Sequence, residues 1–351
     1  MKKNLFSLSY LIIISAFFAS CSSSDSETPA EEGFYKIINN GGGGVNSITD
    51  TADTQSLGIA QAIPSVSNEI YPANMPILFF FNDKILLSSI TQDSFVVKEN
   101  NTKVSGTISI NEAANGFAIF TFTPKNKFAA DADIEITLTT ELKDDSGTGL
   151  DSDQVISYRT ASTTDNSFDG NGGFETGIAG VNFIGDGNVL SGAHGCINPF
   201  EGNNFASITS GNQLISSGTA IGEASSIMII GPINANITSI NFNYNFLSAE
   251  FQEFVGSEYD DSFMAIVYGA NGAHSEFVTS VNTIGKAGNT SCDGFIGMPD
   301  TGDGYAGSTG WLSKSINFSS VGDEVYIAFI VTDVSDQVYS SVVSVDDITY
   351  N

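Results

Sequence analysis

The chain has 351 residues, enough for two domains of ordinary size with a core each. Its 40 acidic residues against 12 basic ones give a formal net charge of −28. Such a surface repels nucleic acid and anionic headgroups and argues against both as partners. Basic partners and divalent cations suit it better, although the same charge also serves simply to keep an exported protein in solution. With 3 cysteines and 2 histidines, a Cys/His zinc site finds little support.

In chain order, Lys2 and Lys3 supply a positive start, Leu11–Phe18 an apolar run, and Phe18-Ala19-Ser20-Cys21 a small-residue cut site. That order reads as a secretory signal, and the apolar run falls short of the ~20 residues that span a bilayer. A cysteine at the cut makes residues 1–21 resemble a bacterial lipoprotein signal, which implies acylation of Cys21 as the mature N-terminus. Asp25 and Glu27 resemble the export signals of Bacteroidetes-type lipoproteins. The resemblance implies an outer-membrane lipoprotein at the cell surface, held to the membrane by its lipid alone.

Residues 22–60 are polar, acidic and glycine-rich, with Gly41–Gly44 in a row, and read as a flexible tether. Phe34–Ile38, their single apolar cluster, is a candidate short strand. Residues 61–161 become short β-type runs between turns. Ile77–Phe81 is continuously apolar, Ile134, Ile136 and Leu138 alternate with polar neighbours, and Lys143–Gly147 is a turn. Together with Ile63-Pro64, Phe95-Val96-Val97, Phe122-Thr123-Pro124 and Tyr158-Arg159-Thr160, these residues resemble a bacterial Ig-like domain of the type found in surface-layer proteins. The resemblance implies a β-sandwich, usually a spacer.

After a small-residue junction, residues 165–351 carry strand runs and Gly/Asn/Ser loops with no helical period. Ile240, Phe242, Tyr244 and Phe246 alternate with Ser239, Asn241, Asn243 and Asn245, and Val325–Val331 is a second strong run. The expected fold is all-β: an Ig-like β-sandwich followed by a larger β-jelly-roll sandwich.

Acidic clusters mark this second part. Gly173-Phe174-Glu175 at its opening and Asp346-Asp347-Ile348 at its close resemble carbohydrate-binding jelly rolls, in which these segments lie side by side and often hold calcium. The resemblance implies Glu175, Asp347 and, less directly, Asp346 as ligands. In a regular strand Asp346 and Asp347 point to opposite faces, so only one of them is expected to reach a given ion. Phe246–Ser257 with Asp260-Asp261-Ser262-Phe263, and Thr332–Ser341, resemble the choice-of-anchor family of exported proteins, whose membership implies no general activity. Glu250, Asp261, Asp333 and Asp336 are candidates for a second cation site, since calcium takes six to eight hard oxygens. The alternative is that they anchor loops through backbone N–H groups.

Cys196 and Cys292 are read either as a disulfide, the expected state of an even pair in an exported protein, or as two buried thiols. Trp311 and Tyr305 are candidate sugar-stacking platforms, with core packing as the alternative. His194 and His274 fall in no recognisable catalytic motif. The expected function is non-catalytic binding of an extracellular glycan or surface component by a calcium-stabilised module. The alternatives are a structural or adhesive envelope protein and a carboxylate-dependent glycoside hydrolase.

Overall fold

A computed structural model describes residues 34–44, 56–64, 69–112, 118–162, 168, 170–211, 213–218, 225–251, 254–257, 259–285, 290–292, 306–333 and 339–351. The fold is all-β, as the strand runs predict. The first half contains β1 (Tyr35–Asn40), β2 (Gly43–Gly44), β3 (Ile59–Ile63), β4 (Ile70–Tyr71), β5 (Ile77–Phe81), β6 (Ile85–Leu86), β7 (Phe95–Glu99), β8 (Thr102–Lys103), β9 (Gly106–Glu112), β10 (Ala118–Pro124), β11 (Asp133–Leu138) and β12 (Gln154–Thr160). The second half adds β13 (Val181–Ile184), β14 (Asp186–Ser191), β15 (Asn204–Thr209), β16 (Ser225–Ile233), β17 (Ser239–Ser248), β18 (Ser262–Gly269) and β19 (Gly272–Ser280). It closes with β20 (Thr290–Cys292), β21 (Ala306–Ser308), β22 (Leu312–Asn317), β23 (Val325–Thr332) and β24 (Ser341–Tyr350).

The Ig-like sandwich packs the sheet β1-β9-β10-β5-β3 on the sheet β4-β12-β11-β7-β8. The larger sandwich packs a front sheet, β13-β16-β23-β18-β19, on a back sheet, β14-β15-β24-β17-β21-β20, with β22 also paired to β17. β1 falls on the candidate short strand at Phe34–Ile38, inside the stretch otherwise expected as tether, and runs parallel to β9 from Tyr35↔Gly106 to Asn40↔Asn111. Tyr35 and Ile37 are buried, and the Tyr35 hydroxyl donates to the Phe95 carbonyl at 3.0 Å. Two apolar side chains on alternate positions suffice to dock the segment, which is the physical reason it is not free chain.

The first sandwich also packs against the second. Ile108, Ile110, Phe120, Phe122, Ile77, Phe79 and Phe81 lie in register and fill its own core. The alternate positions of the same strands face the second sandwich. Ser109 Oγ accepts from the Ala273 N–H at 2.8 Å, Thr107 Oγ1 donates to the Ala270 carbonyl at 3.1 Å, and the Gln61 amide donates to Ser225 Oγ at 2.5 Å. Against this face sits one side of the front sheet: Ile227, Ile229, Met264, Ile266, Ala328 and Ile330, which belong to the same buried cluster as the Ig-like core. The other side of the front sheet, including Met228, Ile230, Phe263, Val267, Ile327 and Phe329, packs on the back sheet. A sheet buried on both faces needs apolar side chains at consecutive positions rather than alternate ones. Ile227–Ile230 and Tyr326–Val331 are such runs.

Candidate functional site

The outer face of the back sheet carries the polar half of the β17 alternation. Ser308 Oγ donates to Asn245 Oδ1 at 2.8 Å, Ser313 Oγ to Asn243 Oδ1 at 2.6 Å, and Ser315 Oγ to Asn241 Oδ1. Asn243 and Asn245 are nevertheless buried, and the connection between β14 and β15 folds back onto this face at Asp346. That connection is gripped by the carboxylates singled out in the sequence. Asp346 Oδ2 accepts from the N–H groups of Phe200 at 2.8 Å and Glu201 at 3.1 Å. Glu175 Oε1 accepts from those of Asn203 at 2.8 Å and Asn204 at 2.9 Å.

The opening and closing segments of this sandwich do lie side by side, since the Ile348 N–H donates to the Gly172 carbonyl at 2.9 Å. The strand between them is not regular. The β17–β24 register slips between Asn241↔Thr349 and Asn243↔Asp346, and Asp347 takes a left-handed backbone at φ 51°. This bulge turns both aspartates toward one face: Asp346 reaches the loop, and Asp347 Oδ2 accepts from the Asn243 amide at 3.0 Å. The expectation that the two must diverge is therefore corrected by a bulge that no spacing rule announces.

The Asp346 side chain is fully buried, and burial pushes its carboxyl up from 3.8 to about 6. The N–H groups of Glu201, Asp347 and Phe200 oppose that rise, and the neighbouring Glu201 carboxylate adds to it. At this corner the oxygens of Glu175, Asp346 and Asp347 accept hydrogen bonds from backbone and side-chain amides. Glu250, Asp261 and Asp333 are buried at the opposite end of the front and back sheets. Asp261 Oδ2 accepts from Ser341 Oγ at 2.6 Å, Ser341 pairs with Ser248 two residues before Glu250, and Asp333 follows Thr332, which pairs with Ser262. Their oxygens are of the type calcium prefers. Yet among the described residues no group of three or more Asp, Glu, His or Cys side chains closes into an arrangement able to hold a metal ion. No part of the functional reading is routed through a metal ion. Asp336 and Tyr305 lie outside the described residues.

Trp311 sits where β22 begins, with its indole N–H donated to the Asn198 carbonyl at 2.8 Å. Phe205 meets it edge-on at a centroid distance of 6.2 Å, beneath it lie Leu190, Leu247 and Val342, and Phe200 meets it at 5.9 Å and 66°. Phe200 is 47% exposed and Leu312 41%. The result is an aromatic pair at the surface, fixed from below by the core of the back sheet and from the side by the carboxylate-held loop. Phe200 was not among the expected residues. Its signal is spatial only, because 111 positions separate it from Trp311. Cys196, in the same connection, is disulfide-bonded. The Cys292 side chain lies outside the described residues, so its pairing with Cys196 is not assigned. Asp186 was also unforeseen: it is buried and holds residues 214–216 through their N–H groups at 2.7 to 3.1 Å and Ser216 Oγ at 2.6 Å.

Residues 53–160 match the bacterial Ig-like domain family. No curated protein matches the chain. Among solved structures, a carbohydrate-binding module of the β-sandwich superfamily is similar over 85% of this chain and 99% of its own, at 11% identity and a TM-score of 0.29. A non-crystalline-cellulose-specific module, CBM28, is similar over 53% of this chain and 97% of its own, at 10% identity and 0.32. The K1 cleaved adhesin domain of Lys-gingipain from Porphyromonas gingivalis W83 is similar over 50% and 95%, at 16% and 0.27. Likenesses this distant carry no argument about ligand or activity.

Proposed function

We propose that this chain is an exported envelope lipoprotein, anchored through Cys21, whose larger sandwich binds an extracellular glycan without catalysis. The observation that carries the reading is the Phe200–Trp311 pair. Sugars offer aromatic rings a face of C–H groups, and a ring held in one orientation loses little entropy on binding. Trp311 is held by its indole hydrogen bond and Phe205, and Phe200 by the Asp346 contact to its own N–H. Glu250, a carboxylate that a glycoside hydrolase of this fold would have to draw on, is only 1% exposed, which keeps it from the reach of a polymeric substrate and supports binding over hydrolysis.

The test is retention of the full chain on immobilised polysaccharides of varied composition. Retention on at least one neutral polysaccharide is expected, and Phe200→Ala is expected to reduce it with a melting temperature close to that of the parent. Retention that ignores Phe200→Ala would sink the platform. For the anchor, a cell expressing the chain with labelled palmitate should incorporate label, and Cys21→Ser should abolish it. Label retained in that variant would remove Cys21 from the role.

A further inference from the structure

The two sandwiches leave a groove of about 310 Å³ along one side of their joint, within the ~300–1,000 Å³ range of small-molecule sites. Both halves of the chain build it. Met75, Pro76 and Phe122 come from the first sandwich, while Tyr268 and Tyr326, stacked at 5.6 Å and 22°, form the floor from the second. Two features mark it out. Lys125 and Lys127, two of only 12 basic residues in a chain of net charge −28, stand at its rim on the turn after β10. The single carboxylate of the lining, Glu324, accepts from the Tyr326 hydroxyl, and Lys127 Nζ donates to that same hydroxyl at 3.1 Å. Lys125 is the exposed cation left facing the groove. Asn74 also lines the groove, is 6% exposed, and has no hydrogen-bond partner for either amide atom of its side chain among the described residues.

A buried amide without partners leaves its hydrogen bonds unmade, and a hydroxyl-bearing ligand that reaches it supplies them. We propose that this groove binds a carboxylate-bearing pyranose, such as a hexuronic acid unit of an acidic polysaccharide. The apolar lining takes the C–H face of the ring, Asn74 and the exposed Asn126 take hydroxyls, and Lys125 takes the carboxylate. The site is separate from the Phe200–Trp311 platform and stands or falls without it.

Isothermal titration of the full chain with D-glucuronate, D-glucose and hexanoate tests the assignment. Glucuronate is expected to bind, with glucose and hexanoate roughly tenfold weaker. Lys125→Gln, a change at an exposed position, should weaken glucuronate roughly fivefold and leave glucose unchanged. Asn74→Leu conserves side-chain size and keeps the carbonyl that accepts from Tyr268, so its melting temperature should hold or rise while both sugars lose affinity. The proposal is overturned if glucuronate gives no binding at millimolar concentration, if hexanoate binds as well as glucuronate, or if Lys125→Gln changes nothing. Retention on neutral polysaccharide that survives Lys125→Gln leaves the aromatic platform intact, so the two readings fail separately.

Discussion

The front and back sheets of the larger sandwich share one core and obey different rules. β17 in the back sheet alternates from Asn241 to Phe246, with Phe242 and Phe246 inward and Asn243 and Asn245 outward, and its outer side becomes apolar only at Leu247, under Trp311. β23 in the front sheet does not alternate. Ile327 and Phe329 face the back sheet while Ala328 and Ile330 face the Ig-like sandwich. The difference teaches that the joint between the two halves is written into the composition of single strands. A domain with a second face as apolar as its core is half of a pair rather than a unit on a string.

The sharpest way to break this comparison is at the joint. Ile266 is fully buried among residues of both halves, and Ile266→Ala should cost about 2–5 kcal/mol. Calorimetry of the full chain should show one transition that the substitution moves as a whole. Two separated transitions, with only one of them displaced, would return the Ig-like domain to the status of an independent spacer.

A smaller effect belongs to the back sheet and depends on pH. Because burial raises the Asp346 carboxyl to about 6, the folded state favours its protonated form. Its contribution to stability is therefore complete below the unfolded value of 3.8 and is lost as pH climbs through about 6. The loss is at most about 3 kcal/mol. Asp346→Asn should flatten that part of the stability curve between pH 4 and 7, as read from denaturant midpoints; an unchanged slope would show that another group sets it. Smaller still is Asn245→Val, which removes the acceptor for Ser308 Oγ and should cost about 1 kcal/mol. A cost like that of Ile266→Ala would mean that the outer face is packed as a core, contrary to the contrast drawn above.

The two sandwiches and most of their strands were legible because alternation and continuous runs report directly on how many faces are buried. The continuous run at Val325–Val331 marks a strong strand, but its second meaning, a partner sheet on the far side, needs the structure to supply the partner. The neighbourhood of Glu175 and Asp346 was legible through the order of the opening and closing segments. The partners of those carboxylates were not, because backbone N–H groups of residues 200–204 leave no trace in side-chain identity. The pairing of Phe200 with Trp311, and that of Asn74 with a groove finished by Tyr268 and Tyr326, arise only when distant strands meet.

The parallel pairing of β1 with β9 also sets a leash. With Cys21 as the membrane attachment, 13 peptide units connect it to Phe34, the first described residue before that strand. Fully stretched they cover no more than about 45 Å, whereas a free segment running to residue 60 would cover about 135 Å. Under the proposed anchoring, a body on so short a lead would work close to the membrane, at the level of the nearest surface polymers.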